Sequence, residues 1–304
     1  MNIASKIILL TFILFSGIIS VNGQTNTDKI IFLTNHYENF IDELNEDDKK
    51  VNSAYVKKVF NPIFNKHFTK SEYSNIAKDF LASPINNITE LKRSIDRITL
   101  NKATIENKII DALKKSRLFI KNESLTIYVI PVNSNLRQVI SGMSGVMGLT
   151  AGSKQIILTI EPDVLGWEKM LEYAIAHEFS HAYWTNLNFG KSTKWTLLDY
   201  LVFEGKGDYF AHLLYPNVIA PWTMTLTENQ LSDLWKKIKP NLLSEDISFQ
   251  MEIMFGSRNY PVWGGYSVGY DIVRTALEKN KNLKVDYWTN LEAINILRKS
   301  NYKD

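Results

Sequence analysis

Residues 171–182 read LEYAIAHEFSHA, and this stretch determines how the rest of the chain is interpreted. It lies within an apolar-periodic segment, Val164–Trp184, that predicts one long helix. His177 and His181 are four residues apart, so a helix places both imidazoles on one face, about one turn from each other. At that spacing they can bind one Zn²⁺. Glu178 lies about 100° further around the helix, where its carboxylate can reach a metal-bound water.

The neighbours of this motif are apolar and predict that the helix is buried. Leu171, Ala174, Ile175 and Ala182 flank the two histidines along the segment. Buried imidazoles and carboxylates cost desolvation free energy unless a metal or a polar partner satisfies them. The structural alternative is a surface helix that carries two histidines and an unrelated acid, and the apolar neighbours argue against it. We therefore expect a metal site on this helix.

A catalytic zinc site needs a third protein ligand and one open position. The next predicted helix, Thr196–Leu214, carries Glu204 in apolar surroundings. Asp208 follows one turn later and can accept the remaining N–H of a metal-binding histidine. Gly205 and Gly207 lie beside these acids and allow the two helices to approach closely. The sequence thus predicts Glu204 as the third Zn²⁺ ligand and Asp208 as the residue that orients a ligating imidazole.

The three remaining histidines receive weaker functional interpretations. His212 lies one further turn beyond Asp208, where it is either an alternative ligand, a catalytic donor or a hydrogen-bonded core residue. We favour the core residue, which is the commoner role of a histidine on an apolar helix. His36 and His67 have no second ligand at metal-binding spacing, so both are interpreted as structural.

Outside these two helices, the sequence predicts an α+β fold. Residues 24–120 have apolar side chains at spacings of three and four, which indicates a mostly helical N-terminal region with breaks near Pro62 and Pro84. Two β-branched runs, Leu125–Ile130 and Gln155–Ile160, indicate strands. The order of helices, a small sheet and helices again favours α+β over a repeated βαβ array.

Composition narrows the classes of function. The chain has 304 residues, a net charge of only +3 and no cysteine. The small net charge provides no basic field of the kind that nucleic-acid binding requires, so no nucleic-acid partner is expected. The absence of cysteine excludes disulfides, cysteine nucleophiles and thiolate metal sites. Histidine and carboxylate are therefore the side chains left to hold a transition metal.

Residues 1–23 read as a signal peptide. Lys6 provides the positive start, Ile7–Ile19 is almost wholly apolar, and Val21–Gly23 provides small or medium residues for cleavage. The apolar run, about 13 residues, is too short to span a bilayer comfortably as a permanent helix. An uncleaved N-terminal anchor is the alternative. We expect export to the periplasm or the extracellular space, with no stable membrane span after signal cleavage.

The metal motif and its neighbours resemble the gluzincins, the thermolysin-like zinc peptidases with HExxH on one helix and a glutamate on the next. More closely, the chain is similar to a bacterial group of predicted zinc-dependent proteases. The third ligand of that group lies in an E-G-x-A-[DE]-x-[FY] motif, here Glu204–Phe210 with Gly207 in place of alanine. A Gly-Tyr-rich motif follows, here Gly265–Val273. The resemblance covers roughly residues 125–280.

This resemblance implies a zincin-like catalytic domain over residues 121–304, in which a small twisted sheet packs on the two metal-binding helices. An edge strand of that sheet is then expected to bind an extended peptide or protein substrate. The glycine-rich stretch 142–152 precedes the metal helix, where this strand is expected, and Gly148 and Ala151 are its predicted substrate contacts. A plain hairpin turn is the structural alternative for this stretch.

The expected activity is hydrolysis of peptide bonds through a zinc-bound water, with Glu178 as general base and then as general acid. The developing oxyanion needs a hydrogen-bond donor, and Tyr270 is preferred to Tyr266 for this role, unless both are only packing aromatics. Two alternatives remain open. One is a catalytically silent zincin-like binding or cell-envelope scaffold, and the other is a non-peptidase zinc amidase or esterase.

Overall fold

The computed structural model describes residues 28–44, 51–85, 87–191 and 194–302. The predicted signal peptide lies outside these ranges. The strands among the described residues are β1 (Lys29–Phe32), β2 (Thr126–Ile130), β3 (Val146–Gly152) and β4 (Gln155–Ile160). The α-helices of the same ranges are α1 (Thr34–Glu43), α2 (Val51–Tyr55), α3 (Asn61–His67), α4 (Ser74–Ala82), α5 (Ile88–Leu100), α6 (Lys102–Arg117), α7 (Arg137–Gly142), α8 (Trp167–Asn188), α9 (Leu197–Leu214), α10 (Glu228–Ile238), α11 (Ile247–Phe255), α12 (Gly264–Lys279), α13 (Val285–Asn290) and α14 (Ala293–Lys299).

The strands form one mixed sheet in the order β1-β2-β4-β3. β1 and β2 are parallel, as are β2 and β4, whereas β3 runs antiparallel to β4. β3 is therefore an edge strand of the described sheet. A register shift between Thr150 and Gly152 marks a bulge near its end. The α+β class and the two predicted strands are confirmed, with β2 starting one residue later than predicted.

Residues on alternate faces of the sheet belong to two different cores, because successive side chains of a strand point to opposite sides. Ile127, Val129 and Leu158 face the larger core, which α6, α8, α9 and α12 complete. Tyr128 and Ile157 face the smaller core, which is built from residues of α1 to α5. The metal helices and α6 therefore lie on one side of the sheet and the helices α1 to α5 lie on the other.

The N-terminal region is mostly helical, but it also contributes the strand β1, which the sequence analysis did not predict. This run of four residues is too short to show an alternating pattern, and its partner β2 lies about a hundred residues away along the chain. The predicted break near Pro84 is present, since α4 ends at Ala82. Pro62 does not break the helix. It lies in the first turn of α3, directly after a π-helical segment Val56–Phe60, and the backbone stays helical from one segment to the next.

The smaller core crosses residue 120, where the sequence analysis placed the boundary of the catalytic domain. Its members include Phe68 and Leu81 from the N-terminal region and Ile130 and Ile157 from the sheet. The two proposed segments thus share one core in this structure. None of the helices in the described ranges combines the length and the apolar character that crossing a membrane would require.

Candidate metal centre

The helices α8 and α9 carry the site, and local sequence fixes where each begins. Gly166 precedes α8 with a φ of 87°, a left-handed conformation that glycine adopts without strain. α9 begins after Thr196, whose side chain accepts a hydrogen bond from the N–H of Asp199 while the Asp199 carboxylate accepts one from the N–H of Thr196. The observed helix thus begins at Trp167, three residues after the predicted start at Val164, and extends beyond the predicted end at Trp184 to Asn188.

The two helices bring His177, His181 and Glu204 to one point. The two imidazole Nε2 atoms are 2.8 Å apart. Oε2 of Glu204 lies 3.4 Å from Nε2 of His177 and 3.5 Å from Nε2 of His181. Ligand atoms of a tetrahedral zinc with bonds of about 2.0–2.1 Å are separated by roughly 3.3 Å, so the carboxylate distances fit such an ion. Two nitrogens and one oxygen are also a donor set that zinc accepts.

Burial makes the pKa values of Glu204 and His177 depend on their neighbours. Burial alone would raise the pKa of Glu204, but the imidazoles of His181 and His177 lower it to about 2. Burial alone would lower the pKa of His177, yet the carboxylates of Asp208, Glu204 and Glu178 outweigh it and raise that pKa well above its usual value. Metal binding through Nε2 of His177 requires a neutral imidazole, so metal affinity at this site should depend on pH.

Asp208 holds the His177 imidazole from behind. Its Oδ1 lies 2.9 Å from Nδ1 of His177 and accepts a hydrogen bond of 2.9 Å from the Nε1–H of Trp222. The Tyr173 hydroxyl donates to the same carboxylate oxygen at 3.2 Å. Asp208 is wholly inaccessible to solvent. This arrangement fixes which nitrogen of His177 is left for a metal, since Nδ1 is used by Asp208.

Gly207 and Gly205 allow close approach, but to two different helices. A Cβ at Gly207 would lie 2.9 Å from Cε1 of both His177 and His181, so this position carries no side chain because the imidazoles occupy the space. A Cβ at Gly205 would lie 2.2 Å from the carbonyl oxygen of Gly269 on α12. The sequence analysis assigned both glycines to the contact of α8 with α9. The structure assigns Gly205 to the contact of α9 with α12 instead.

His181 is surrounded by aromatic rings. Phe203 stacks on its imidazole with ring centroids 3.9 Å apart and an interplanar angle of 11°. Trp184 and Trp195 pack edge-on against Phe203 at centroid distances of 5.1 Å and 4.9 Å. The orientation of this imidazole is therefore constrained mainly by packing. None of these aromatic contacts was predicted from the sequence.

Glu178 is directed towards the edge strand β3. Its Oε2 accepts a hydrogen bond of 2.7 Å from the Thr150 hydroxyl, which also donates to the Glu178 carbonyl at 3.1 Å. A Cβ at Gly148 would lie 2.5 Å from Cγ of Glu178, so the glycine makes room for this side chain. Glu178 is 7% exposed. The carboxylate thus lies between the metal helices and the strand that includes the predicted substrate contact Gly148.

The backbone of β3 alternates between its partner strand and the open edge. The N–H of Glu161 donates to the carbonyl of Gly145 at 2.7 Å, in line with the pairing of Val146 with Ile160. Hydrogen-bonded and non-hydrogen-bonded pairs alternate along an antiparallel ladder. The backbone groups of Gly148 and Thr150 therefore point away from β4, towards the edge beside Glu178.

Ala151, the second predicted substrate contact, has a different environment. Its side chain is fully buried in the smaller core, on the face of the sheet opposite to the metal helices. Its carbonyl oxygen accepts a hydrogen bond of 3.1 Å from the N–H of Tyr73. Neither group is available to a substrate, so the assignment of Ala151 is corrected. The glycine-rich stretch had indicated an edge strand, but not which residues of it are covered.

Comparison with known proteins supports a zinc protease. The sequence model of a family described as predicted Zn-dependent protease (DUF2268) matches residues 105–298, more than half of the chain. The chain belongs to this family. It is also similar to the uncharacterized protein YjaZ of Bacillus subtilis (strain 168), with 26% identity over 185 residues that cover 57% of this chain and 68% of YjaZ. No solved structure is significantly similar to it.

The part of the chain that matches the DUF2268 family includes the entire metal centre. All of α8, α9 and α12 lies within it, as do the strands β2, β3 and β4. The helices α1 to α5 and the strand β1 lie outside it.

The two tyrosines of α12 lie differently relative to the metal centre. Burial raises the pKa of Tyr266 well above its usual value, and the carboxylates of Glu204 and Glu178 raise it further. Burial also raises the pKa of Tyr270, which the nearby Arg274 lowers in part and Asp208 raises. The Tyr270 ring packs against His212 at a centroid distance of 6.0 Å. The charges of Glu204 and Glu178 thus act on Tyr266, whereas the Tyr270 ring packs on His212.

The other histidines stay outside the metal cluster. Among the described residues, the one group of three or more metal-binding side chains within 4.8 Å of one another consists of His177, His181 and Glu204. His212 packs on Tyr270, as described above. His67 packs on Tyr128 with ring centroids 4.8 Å apart, on the other side of the sheet.

Sequence reasoning missed several residues that shape the site. Tyr173 lies one turn before His177 on the same helix face, a spacing that could have identified it. Thr150 lies two residues after Gly148, which places both side-chain positions on one face of a strand. No comparable signal marks Trp222, because it lies in a loop beyond α9 and meets Asp208 only through the tertiary fold.

Proposed function

We propose that this protein is an exported zinc metallopeptidase of the gluzincin type, with His177, His181 and Glu204 as the zinc ligands. One observation carries this proposal: the three side chains converge from two helices while Glu178 lies between them and an open strand edge. A purely structural zinc site would need no buried carboxylate beside the metal that is not itself a ligand. The family description supports the zinc protease in general terms, and the geometry supports the finer assignment.

When bound, Zn²⁺ supplies a Lewis acid that lowers the pKa of a coordinated water from 15.7 towards about 7. The protein supplies the remaining chemistry. Glu178 is held by the Thr150 hydroxyl with its carboxylate at the site, where it can accept the proton of the attacking water. The same carboxylate then passes a proton to the departing amine. Gly148 contributes by leaving space for the glutamate and for a substrate backbone.

The strand edge supplies the binding mode that suits a peptide. The outward N–H and C=O groups of Gly148 and Thr150 can pair with an extended segment, which then lies across Glu178. This mode requires substrate backbone groups along the strand edge in addition to the scissile bond. It therefore favours a peptidase over an amidase or esterase that acts on small molecules.

Tyr266 is the better of the two tyrosines for stabilising the oxyanion. Its raised pKa keeps the phenol protonated at neutral pH, so that it remains a hydrogen-bond donor. Two of the carboxylates that raise this pKa, Glu204 and Glu178, belong to the reaction site itself. We therefore propose Tyr266 as the donor and assign Tyr270 to packing with His212. Tyr266→Phe should lower kcat more than Tyr270→Phe. Equal kcat values for the two variants would contradict the role of Tyr266 as the donor.

The experiment that tests the activity compares Glu178→Gln with Glu168→Gln, a matched change at an exposed position of the same helix. Both proteins, and the wild type, are incubated with unstructured peptides and with small amides and esters. We expect chelator-sensitive peptide hydrolysis in the wild type and in Glu168→Gln. In Glu178→Gln, kcat should fall by about 10²–10⁴-fold while the zinc content stays at one per chain.

Two results would contradict the proposal. Full activity of Glu178→Gln would exclude this residue as the base. Zinc binding by the wild type without hydrolysis of any substrate would favour a scaffold whose site does not turn over.

Export is tested separately by the mass of the protein recovered outside the cytoplasm. A chain that starts near Gln24 is expected, and a full-length cytoplasmic chain would contradict export.

A further inference from the structure

The open edge of β3 ends one residue beyond the site. The residues from Val146 to Thr150 border the metal helices, but the following residues are covered by the turn Ser71–Tyr73, which we call the closing turn. The N–H of Tyr73 donates to the carbonyl of Ala151 at 3.1 Å. The Glu72 carboxylate accepts hydrogen bonds from the N–H of Ser153 at 3.2 Å and from its hydroxyl.

The closing turn also reaches α8, so it spans the groove between the strand edge and the metal helix. The Thr185 hydroxyl donates to the Tyr73 hydroxyl at 3.1 Å. The Tyr73 ring packs edge-on against Phe189 with centroids 5.7 Å apart. Thr185 is one helical turn beyond the ligand His181. The groove is therefore walled at this end from both sides.

The wall lies close to the reaction site. The Thr150 hydroxyl is 2.7 Å from the Glu178 carboxylate, and the covered carbonyl of Ala151 belongs to the very next residue. Each residue of an added strand advances by about 3.3 Å. A peptide paired with the edge of β3 and aligned for attack beside Glu178 thus has space for about one or two residues before it meets Tyr73.

The closing turn is fixed in place by the smaller core. It connects α3 with α4, and the residues on either side of it are buried there: Phe68 and Ala77 are both 0% exposed. Ala151 and Ile157 of the sheet belong to the same cluster. Removing or displacing the turn would expose this core to water, which argues for a permanent wall rather than a removable pro-segment.

Charge indicates which end of a peptide meets the wall. Glu72 is partly buried and uses two of its roughly four acceptor sites on Ser153, which leaves capacity for another donor. A carboxylate attracts a peptide's terminal ammonium and repels its terminal carboxylate. A substrate strand antiparallel to β3 places its N-terminus at this end. Only the N-terminus of a substrate peptide therefore agrees with both the negative charge of Glu72 and the direction of the bound strand.

We propose that the substrates are peptides with a free N-terminus and that the enzyme removes one or two residues from that end. This inference rests on the proposed peptidase function and adds the substrate class. The Glu72 carboxylate recognises the terminal ammonium, and the closing turn limits how much chain precedes the scissile bond.

The test uses the zinc-loaded full chain and one parent peptide in three forms: with a free N-terminus, acetylated, and extended at the N-terminus by one to six residues. Mass spectrometry identifies each cut. We expect successive release of one or two residues from the free N-terminus, with the first cut moving outward as the peptide is extended. Acetylation should lower kcat/KM by about tenfold or more, because a charge-assisted hydrogen bond is lost.

A cut that stays at one internal bond whatever precedes it would overturn the inference and leave the peptidase function intact. The absence of any chelator-sensitive cleavage would overturn both. Glu72→Gln gives a second readout, with Glu123→Gln as the control, because Glu123 is an exposed carboxylate that pairs with Lys154 and does not belong to the closing turn. Glu72→Gln should raise KM for the free peptide by about tenfold and leave the acetylated peptide unchanged. Equal effects on both peptides would exclude recognition of the ammonium.

Discussion

The two imidazoles of the metal centre are held in different ways, although they lie one turn apart on the same helix. His177 is fixed by a polar network in which Asp208 accepts hydrogen bonds from Trp222 and Tyr173. His181 is fixed by packing, because the Phe203 ring stacks on it at 3.9 Å. One ligand is thus positioned by electrostatics and the other by shape.

This difference separates two properties of a metal ligand. A carboxylate behind an imidazole selects the tautomer and increases the basicity of the metal-binding nitrogen. An aromatic neighbour restricts rotation of the ring and excludes water, but it hardly changes basicity. We therefore expect changes on the His177 side to alter metal affinity and changes on the His181 side to alter stability. The following variants test this division, from the largest effect to the smallest.

Asp208→Ala should weaken zinc binding by about 10–100-fold, the range observed when the hydrogen-bond partner of a ligating histidine is removed. The buried His177 imidazole would lose both its orientation and its nearest negative charge. A competition titration with a chromophoric chelator measures the affinity. Wild-type affinity in this variant would show that the polar network does not support the metal.

Trp222→Phe removes one donor and keeps most of the aromatic ring. The Asp208 carboxylate would lose one hydrogen bond, worth about 0.5–1.5 kcal/mol, which corresponds to a roughly 2–10-fold loss of zinc affinity. The same chelator titration applies. The effect should also shrink in an Asp208→Ala background, because the tryptophan acts through that carboxylate. Equal effects in both backgrounds would mean that it acts by another route.

Phe203→Ala should mainly reduce stability. Removing the ring leaves a gap beside His181 and between Trp184 and Trp195, so the free energy of unfolding should decrease by about 1–3 kcal/mol. Urea denaturation of the metal-free protein measures this change. Zinc affinity should fall far less than in Asp208→Ala. A loss of zinc affinity as large as that in Asp208→Ala would contradict the expectation that the His181 side mainly affects stability.

Lys206 tests how α9 is held on its other side, through the pH dependence of stability rather than through metal affinity. Its Nζ donates to the carbonyls of Thr289 and Leu291, and burial lowers its pKa to about 7. The unfolded chain keeps this proton up to its ordinary pKa of 10.5. Between these values the unfolded state binds more protons, so this residue makes the free energy of unfolding rise with pH.

Lys206→Met should therefore reduce the increase in unfolding free energy between pH 7 and about 9.5. The measurement is urea denaturation of the metal-free wild type and variant across this range. His177 has a raised pKa, so it makes the free energy of unfolding fall with pH, and it does so in both proteins. The difference between the two slopes of unfolding free energy against pH therefore reports Lys206. Identical slopes would show that Lys206 titrates alike in both states.

Local periodicity allowed much of this structure to be predicted. The helices α8 and α9 and the strand β4 follow from spacings within a few residues, and so does the alignment of His177 with His181. Gly148 lies on the edge strand that the glycine-rich stretch predicts, and its contact with a substrate stays a prediction. These features depend on residues that are close in sequence and belong to the same helix or strand.

The unpredicted features all depend on contacts between distant parts of the chain. β1 pairs with a strand that follows six helices, and Trp222 reaches Asp208 from a loop. Ala151 was misassigned because nothing near it in sequence indicates that Tyr73 covers its carbonyl. The choice between Tyr266 and Tyr270 stays a prediction, because helical spacing places both on one face but does not give the position of that face relative to Glu204.

The central claim is that His177, His181 and Glu204 bind one zinc ion. It is tested most directly by anomalous diffraction at the zinc absorption edge from crystals of the zinc-loaded protein. The account predicts a single strong peak bonded to both Nε2 atoms and to a carboxylate oxygen of Glu204, and no peak there in Glu204→Ala. A peak elsewhere, or a Glu204 side chain turned away from the ion, would contradict it.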